Sequence, residues 1–252
     1  MSLVLVETKE RIARIELNRA DKKNALTVEM YRMIGDALAA AEADPQVRAV
    51  LIHGRPDCFC AGNDIGDFLN PPPGKTPASW LFETLPGLSK PVVAAVGGPA
   101  VGIGATMLLH CDLVYAAPNA RLQFPFVPLG IVPEFGSTLL LPRLAGYQRA
   151  AELLLLGRPF GADKALEIGL VNEIVPEERL LAHAREAAAQ LAALPPASLR
   201  LAKRLLKSGY AGLGERIEEE ARLVRERLAS PEAKEAFTAF LEKRKPDFSK
   251  FS

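Results

Sequence analysis

Pro91-Val92-Val93-Ala94-Ala95-Val96-Gly97-Gly98-Pro99-Ala100-Val101-Gly102-Ile103-Gly104 is an apolar, strand-like run that ends in a glycine-bearing turn and opens into a helix. An earlier stretch has the same plan, with Val47-Arg48-Ala49-Val50-Leu51-Ile52 leading to the turn Cys60-Ala61-Gly62-Asn63-Asp64-Ile65. Glycine adopts backbone angles that other residues avoid and lets the main chain approach a ligand closely. A strand, a glycine turn and a helix together aim unpaired backbone N–H groups at any negative charge held there. Two such turns in one fold can converge on one oxygen and form an oxyanion hole from backbone alone. That suits chemistry passing through an enolate or a tetrahedral oxyanion. A dinucleotide site fits poorly. Gly102-Ile103-Gly104 starts a G-x-G-x-x-G pattern, but Met107 stands at its third glycine and other strand–helix units precede it.

Working outward, alternating runs over 3–7 and 12–17 suggest an edge hairpin, and Thr27 is placed to cap a helix running to 43. A surface loop with Pro71-Pro72-Pro73-Gly74 is expected between 66 and 76. A helix over 78–87 leads to the strand at 91–96. Beyond the second turn come a helix over 104–109 and strands over 113–116 and 121–124. This alternation implies an α/β fold, a right-handed succession of strand and helix with a largely parallel sheet. Pro195-Pro196 is the best boundary, dividing a core over 1–195 from a helical region over 196–252. Charged, amphipathic helices over 197–208, 215–228 and 231–243 each carry an apolar stripe that needs covering.

The 252 residues suit one large domain or one domain with an appendage. A formal charge of +1 with no basic stripe argues against a nucleic-acid partner. Three cysteines, Cys58, Cys60 and Cys111, have no framework spacing and suit a reducing cytoplasm. The start of the chain lacks the charged and apolar segments of a signal peptide. The uncharged stretch 91–110 is broken by glycines and prolines, so it reads as buried strand, turn and helix and not as a membrane span.

Further segments sharpen this picture. Asn18-Arg19-Ala20-Asp21-Lys22-Lys23-Asn24-Ala25-Leu26, Phe59-Cys60-Ala61-Gly62-Asn63-Asp64, Lys90-Pro91-Val92-Val93-Ala94-Ala95-Val96, Cys111-Asp112-Leu113-Val114-Tyr115-Ala116 and Gly169-Leu170-Val171-Asn172 keep a fixed order and spacing. Together they resemble the crotonase (enoyl-CoA hydratase/isomerase) superfamily over essentially the whole chain. The resemblance implies a crotonase-type spiral of ββα turns with a C-terminal helical trimerisation region, assembled as a homotrimer or a dimer of trimers. It implies an acyl-CoA thioester substrate and a place in fatty acid metabolism, with coenzyme A carried on the substrate and no separate cofactor.

By the same resemblance, the backbone N–H groups of Asn63 and Ile103 form the oxyanion hole for the thioester oxygen. Lys22 and Lys23 would meet CoA phosphates, and Ala25, Leu26, Ala61 and Asp64, with Ile65, match the CoA-adenine loop and its border. Phe68, Phe124, Phe126 and Thr106 are candidates for the acyl pocket. Hydratases of the family carry two glutamates, at the positions of Thr106 and Phe126 here, and both are absent. Pro133-Glu134-Phe135-Gly136-Ser137-Thr138 instead resembles the P-E-G-[GS] segment of the single-glutamate Δ3,Δ2-enoyl-CoA isomerase branch. Glu134 then moves a proton from C2 to C4 of a 3-enoyl thioester, and burial in an apolar stretch should raise its pKa. Phe135 departs from the glycine usual there and bears on pocket width.

Two alternatives stand beside this reading: a hydratase whose water is held by Glu134 and another polar group, and a non-catalytic acyl-CoA or protein-binding homologue. His53, His110 and His183 accompany no G-x-S-x-G elbow, which disfavours a serine hydrolase. Cys58, Cys60 and His53 lack a fourth ligand at zinc spacing, so no metal site is expected.

Overall fold

The structure, a computed structural model, describes residues 2–69 and 78–251, the side chains of residues 68 and 69 excepted. The Pro71-Pro72-Pro73-Gly74 loop lies outside the described residues. β1 (Val4–Lys9) and β2 (Ile12–Leu17) form an antiparallel hairpin, joined by Glu10 and Arg11 at positive φ. Such angles match the right-handed twist of a two-residue hairpin. Of these two strands β1 alone is an edge, because β2 also pairs parallel with β3 (Ala49–His53). Between them runs α1 (Val28–Ala43), capped by the Thr27 hydroxyl, which accepts the Met30 N–H at 3.2 Å.

The first glycine turn follows β3 and leads into α2 (Ile65–Leu69); α3 (Ser79–Thr84) then packs across α1. Gly35 allows that crossing, since a Cβ there would lie 2.8 Å from Trp80 Cβ. β4 (Val92–Val96), β5 (Pro99–Val101) and α4 (Ile103–Thr106) make the next turn of the spiral. α4 tightens into a 3₁₀ turn over Met107–His110, so the helix expected to reach 109 changes pitch after one turn. β6 (Leu113–Ala116), β7 (Arg121–Gln123), α5 (Ser137–Ala145) and α6 (Tyr147–Leu156) repeat the plan. The last repeat comprises β8 (Phe160–Gly161), α7 (Ala162–Glu167), β9 (Glu173–Ile174) and α8 (Leu180–Ala193).

Two sheets result. The larger has strand order β1-β2-β3-β4-β6-β9 and is parallel from β2 onward; the smaller has order β5-β7-β8. Each turn of the chain places a strand in the large sheet and a short extended segment beside the small one, then a helix. This is the expected spiral of ββα turns. β3 and β4 are buried at every residue, with the main core on one face and α8 on the other. Continuous apolar runs are what a parallel strand covered on both faces requires.

Gly98 ties the turn after β4 to the Asp57 loop: its φ is 60°, and a Cβ would run into the Asp57 carbonyl. Gly98→Ala is therefore expected to destabilise the fold by about 3 kcal/mol or more, measurable by chemical denaturation.

α9 (Pro196–Lys207), α10 (Leu213–Leu228) and α11 (Pro231–Leu241) end the chain close to the spans read from sequence. α10 packs on α5, and α11 packs on the 3₁₀ turn Val127–Leu129. Gly130 makes the second contact possible, because a Cβ there would lie 2.7 Å from the Ala233 nitrogen. α9 is inverted. Its buried face carries Lys203, which donates to Asp112 at 2.6 Å and to the Lys90 carbonyl at 2.7 Å, while Leu201, Leu205 and Leu206 are exposed.

Candidate active site

The two glycine turns lie against each other. Cys60 N–H donates to the Pro99 carbonyl and Val101 N–H to the Cys60 carbonyl, both at 2.9 Å. At Gly104 a Cβ would lie 2.6 Å from the Cys60 carbonyl oxygen, so only glycine permits this approach. Gly62 takes the positive φ of its turn, at 101°, and Asn63 does not share it. Asn63 sits beside Leu26, where Leu26 and Asp64 spend their N–H groups on the bridge. Among the described residues no acceptor takes the Asn63 N–H or the Ile103 N–H. Ile103 opens α4 directly after Gly102 at φ 55°, where helix geometry leaves an amide without an intrahelical partner. Two free amides on adjoining turns can receive one oxygen that carries developing negative charge.

These turns border an apolar cleft of about 370 Å³. Ala61, Asn63, Ile65 and Phe126 line it with Val101 and Gly102, and Phe237 and Phe240 of α11 supply the far wall. Phe124 is buried beside Phe160, at 5.8 Å between ring centroids. Thr106 is buried with its hydroxyl unpartnered among the described residues. The side chain of Phe68 lies outside the described residues.

Glu134 does not line this cleft; it is a buried carboxylate, 4% exposed, with Oε1 unpartnered among the described residues. Burial, and secondarily the charge of Glu220, push its pKa up to about 8. The field of Glu134 reaches Tyr31 on α1, adding to the effect of burial in raising the phenol. The Tyr31 hydroxyl donates to Asn63 Oδ1 at 2.5 Å, so one side chain senses the carboxylate and contacts an oxyanion turn.

The turn carrying Glu134 is strained and clamped. Phe135 has φ 62° although it is not glycine, and Gly136 follows at 71°. The Phe135 ring is fully buried, stacked on Phe82 at 4.3 Å and on His110 at 3.9 Å. Burial lowers the His110 pKa to about 3, so the ring is neutral, and Nε2–H donates to the Phe135 carbonyl at 2.8 Å. The bulk at Phe135 thus packs into the core and holds a left-handed residue in place.

Lys22 and Lys23 are exposed on a 3₁₀ turn next to the first glycine turn. Lys23 and Asn24 both have positive φ, and the buried Asn24 amide donates to the Cys58 and Phe59 carbonyls at 3.1 Å each. Ala61 N–H donates to the Lys23 carbonyl at 2.9 Å, and Arg19 donates to the Ala25 carbonyl at 2.9 Å. Asp64 pairs with Arg19 at 2.8 Å, which holds its carboxyl below the usual range, and it accepts from the Gly66 N–H at 3.0 Å. Asp64 therefore braces the loop. Sequence reading passed over Tyr31 and Glu220 and weighed His110 only as a hydrolase histidine; all three touch the Glu134 and Asn63 turns. Tyr31 reads as one more apolar-face position of α1, and Glu220 is one glutamate among several on α10.

No helix among the described residues is long and apolar enough to cross a membrane, and no cluster of His, Cys, Asp and Glu there could hold a metal ion.

A sequence profile described as enoyl-CoA hydratase/isomerase matches residues 7–250. A protein of Escherichia coli K12 named 1,2-epoxyphenylacetyl-CoA isomerase is 34% identical over 99% of this chain and 99% of its own length. A crotonyl-CoA hydratase of Syntrophomonas wolfei is 35% identical over 97% of each. The solved structure of Pseudomonas aeruginosa OdaA superposes with a TM-score of 0.93 at 47% identity, covering 96% of this chain and 99% of that one.

Proposed function

This chain belongs to the enoyl-CoA hydratase/isomerase family, and from that premise we propose that it shifts the double bond of a 3-enoyl-CoA to the 2-position. The observation that carries this reading is a buried carboxylate, Glu134, whose Oε1 has no partner among the described residues, with Thr106 and Phe126 at the positions where the family's hydratases carry acids. The thioester oxygen sits between the Asn63 and Ile103 amides, and the Glu134 carboxylate removes a C2 proton. The electron pair moves onto that oxygen as an enolate, which the amides stabilise. The enolate then reforms the carbonyl, the C3–C4 double bond moves to C2–C3, and Glu134 returns its proton to C4. One group suffices because it both takes and returns the proton. A positioned base is worth roughly 10²–10⁴ in rate and each oxyanion donor roughly 10²–10³.

The E. coli relative bears an isomerase name, for an epoxide-bearing CoA thioester. Hydration is the second reading, favoured by the hydratase name of the S. wolfei relative and by the Thr106 hydroxyl, unpartnered among the described residues and a second polar group for a water. A paired assay separates them. Conjugated 2-enoyl absorbance rises with trans-3-hexenoyl-CoA if the protein is an isomerase and falls with trans-2-hexenoyl-CoA if it is a hydratase. Neither change, with CoA thioesters still bound, identifies a binding protein.

Lys22 and Lys23 are proposed to meet the CoA phosphates at the exposed end of the site. The protein is proposed to act in the cytoplasm as a homotrimer or dimer of trimers. The inverted α9 supports assembly, since Leu205 and Leu206 are 69% and 81% exposed on one helix. Leu205→Glu with Leu206→Glu is expected to lower the mass measured by light scattering to that of a smaller species. An unchanged mass would remove α9 from the interface.

A further inference from the structure

The turn that follows Glu134 ends at the N-terminus of α5, and no side chain of its own caps that helix. The cap comes from eighty-odd residues away. Glu220 of α10 accepts from the Gly136 N–H at 2.5 Å, the Thr138 N–H at 3.0 Å and the Thr138 hydroxyl at 2.5 Å. Its residue is only 3% exposed. Leu213 and Ile217, on the same face of α10, close over Gly136, where a Cβ would lie 2.5 Å from Leu213 Cδ1. Burial raises the Glu220 pKa above the usual carboxylate range, and the three donors at this helix N-terminus, where the dipole favours negative charge, oppose that rise. Glu134 lies in the same turn, and its Oε1 has no such donor among the described residues. Two carboxylates thus share one buried region in opposite circumstances.

We propose that Glu220 is a positioning residue for the Glu134 base: its fixed anion clamps the Gly136–Thr138 turn and keeps Glu134 proton-hungry by like-charge repulsion. This rests on the reading of Glu134 as the base. The groups facing the pair come from several elements. Tyr31 of α1 faces Glu134; burial raises the Glu220 pKa, and its hydrogen bonds from Thr138 and Gly136, with Arg216 of α10 last, pull it back toward the anion. His110 is neutral and engaged with Phe135, with the Lys207 ammonium on its carbonyl at 3.3 Å. From α3, the Phe82 ring stacks on Phe135 of this turn. The field of Glu220 acts in the same direction as burial on Glu134. Environments that drive two neighbouring acids apart are how one is kept charged and the other made a base near neutrality.

The test is the pH profile of Glu220→Gln, which keeps the shape and removes the charge. The acidic limb of kcat/KM for 3-enoyl-CoA is expected to move down by roughly half to one pH unit. The plateau kcat should fall about tenfold through loss of turn geometry. Glu220→Asp, which keeps the charge, should leave the limb in place. A second readout needs no turnover. The stability gap between the native protein and Glu134→Gln changes with pH until Glu134 ionises in the folded state. In a Glu220→Gln background that upper break should come at lower pH by the same amount. If neither Glu220 variant folds, carboxyl carbon NMR of the native protein, with Glu134 assigned by Glu134→Gln, gives the order of ionisation. Glu220 must lose its proton first. A lowered melting temperature with an unmoved limb and break, or Glu220 ionising after Glu134, would overturn the proposal. Absence of isomerase activity with a shifted break would remove the reaction assignment and leave the coupling standing.

Discussion

Glu134→Gln is expected to lower kcat for 3-enoyl-CoA isomerisation by about 10²–10⁴-fold while leaving affinity for the CoA thioester largely intact. Glutamine preserves the volume in a fully buried site and removes the one group that can take and return the proton. The residues proposed to face CoA lie on other loops, at Lys22–Leu26 and Ala61–Ile65, and are untouched. The native enzyme should also carry its own signature. A base with its pKa near 8 must be ionised to act, so kcat/KM should rise with pH and level off above about 8. A variant that kept its rate would sink the one-base reading, and loss of binding together with rate would mean the site had been disrupted.

The same substitution should stabilise the protein, and increasingly so as pH rises. The Glu134 pKa is raised in the folded state, to about 8, above that of a glutamate in an unfolded chain. Below roughly pH 4 both states hold the proton and the group carries no cost. Between there and pH 8 the unfolded chain gives up its proton while the folded protein retains it, so stability falls as pH rises. Above pH 8 the penalty is complete. Glutamine never ionises, so Glu134→Gln should gain on the order of 4 kcal/mol over the native protein at pH 9 and almost nothing at pH 4.5. Urea unfolding across that range checks it. Equal stability at both ends would mean that Glu134 is not buried as an unpaired acid. A residue whose removal costs activity and raises stability is what an active-site strain predicts.

Much of the fold was legible because its local signals are strong. β3 and β4 are unbroken apolar runs ending in glycine turns, and Thr27 stands three residues before an amide it can cap. The glycines at 62, 98 and 102 mark backbone angles set within a few residues, and all three have positive φ. α6, α7 and α8 escaped notice. α8 in particular is so rich in alanine that its buried stripe has little contrast with its exposed face.

The amino-acid sequence by itself determined β1 to β4, β6 and β7, the order of the turns and the chemical types present beyond the second turn, including Glu134 in an otherwise apolar stretch. Those features depend on neighbours along the chain. Tertiary structure decided which groups meet. It turned the leucines of α9 outward by pairing Lys203 with Asp112, folded α11 onto the cleft, and brought Glu220 across to the turn behind Glu134. Burial and electrostatic coupling act through space, and a raised pKa or a borrowed helix cap exists only once distant segments have packed together.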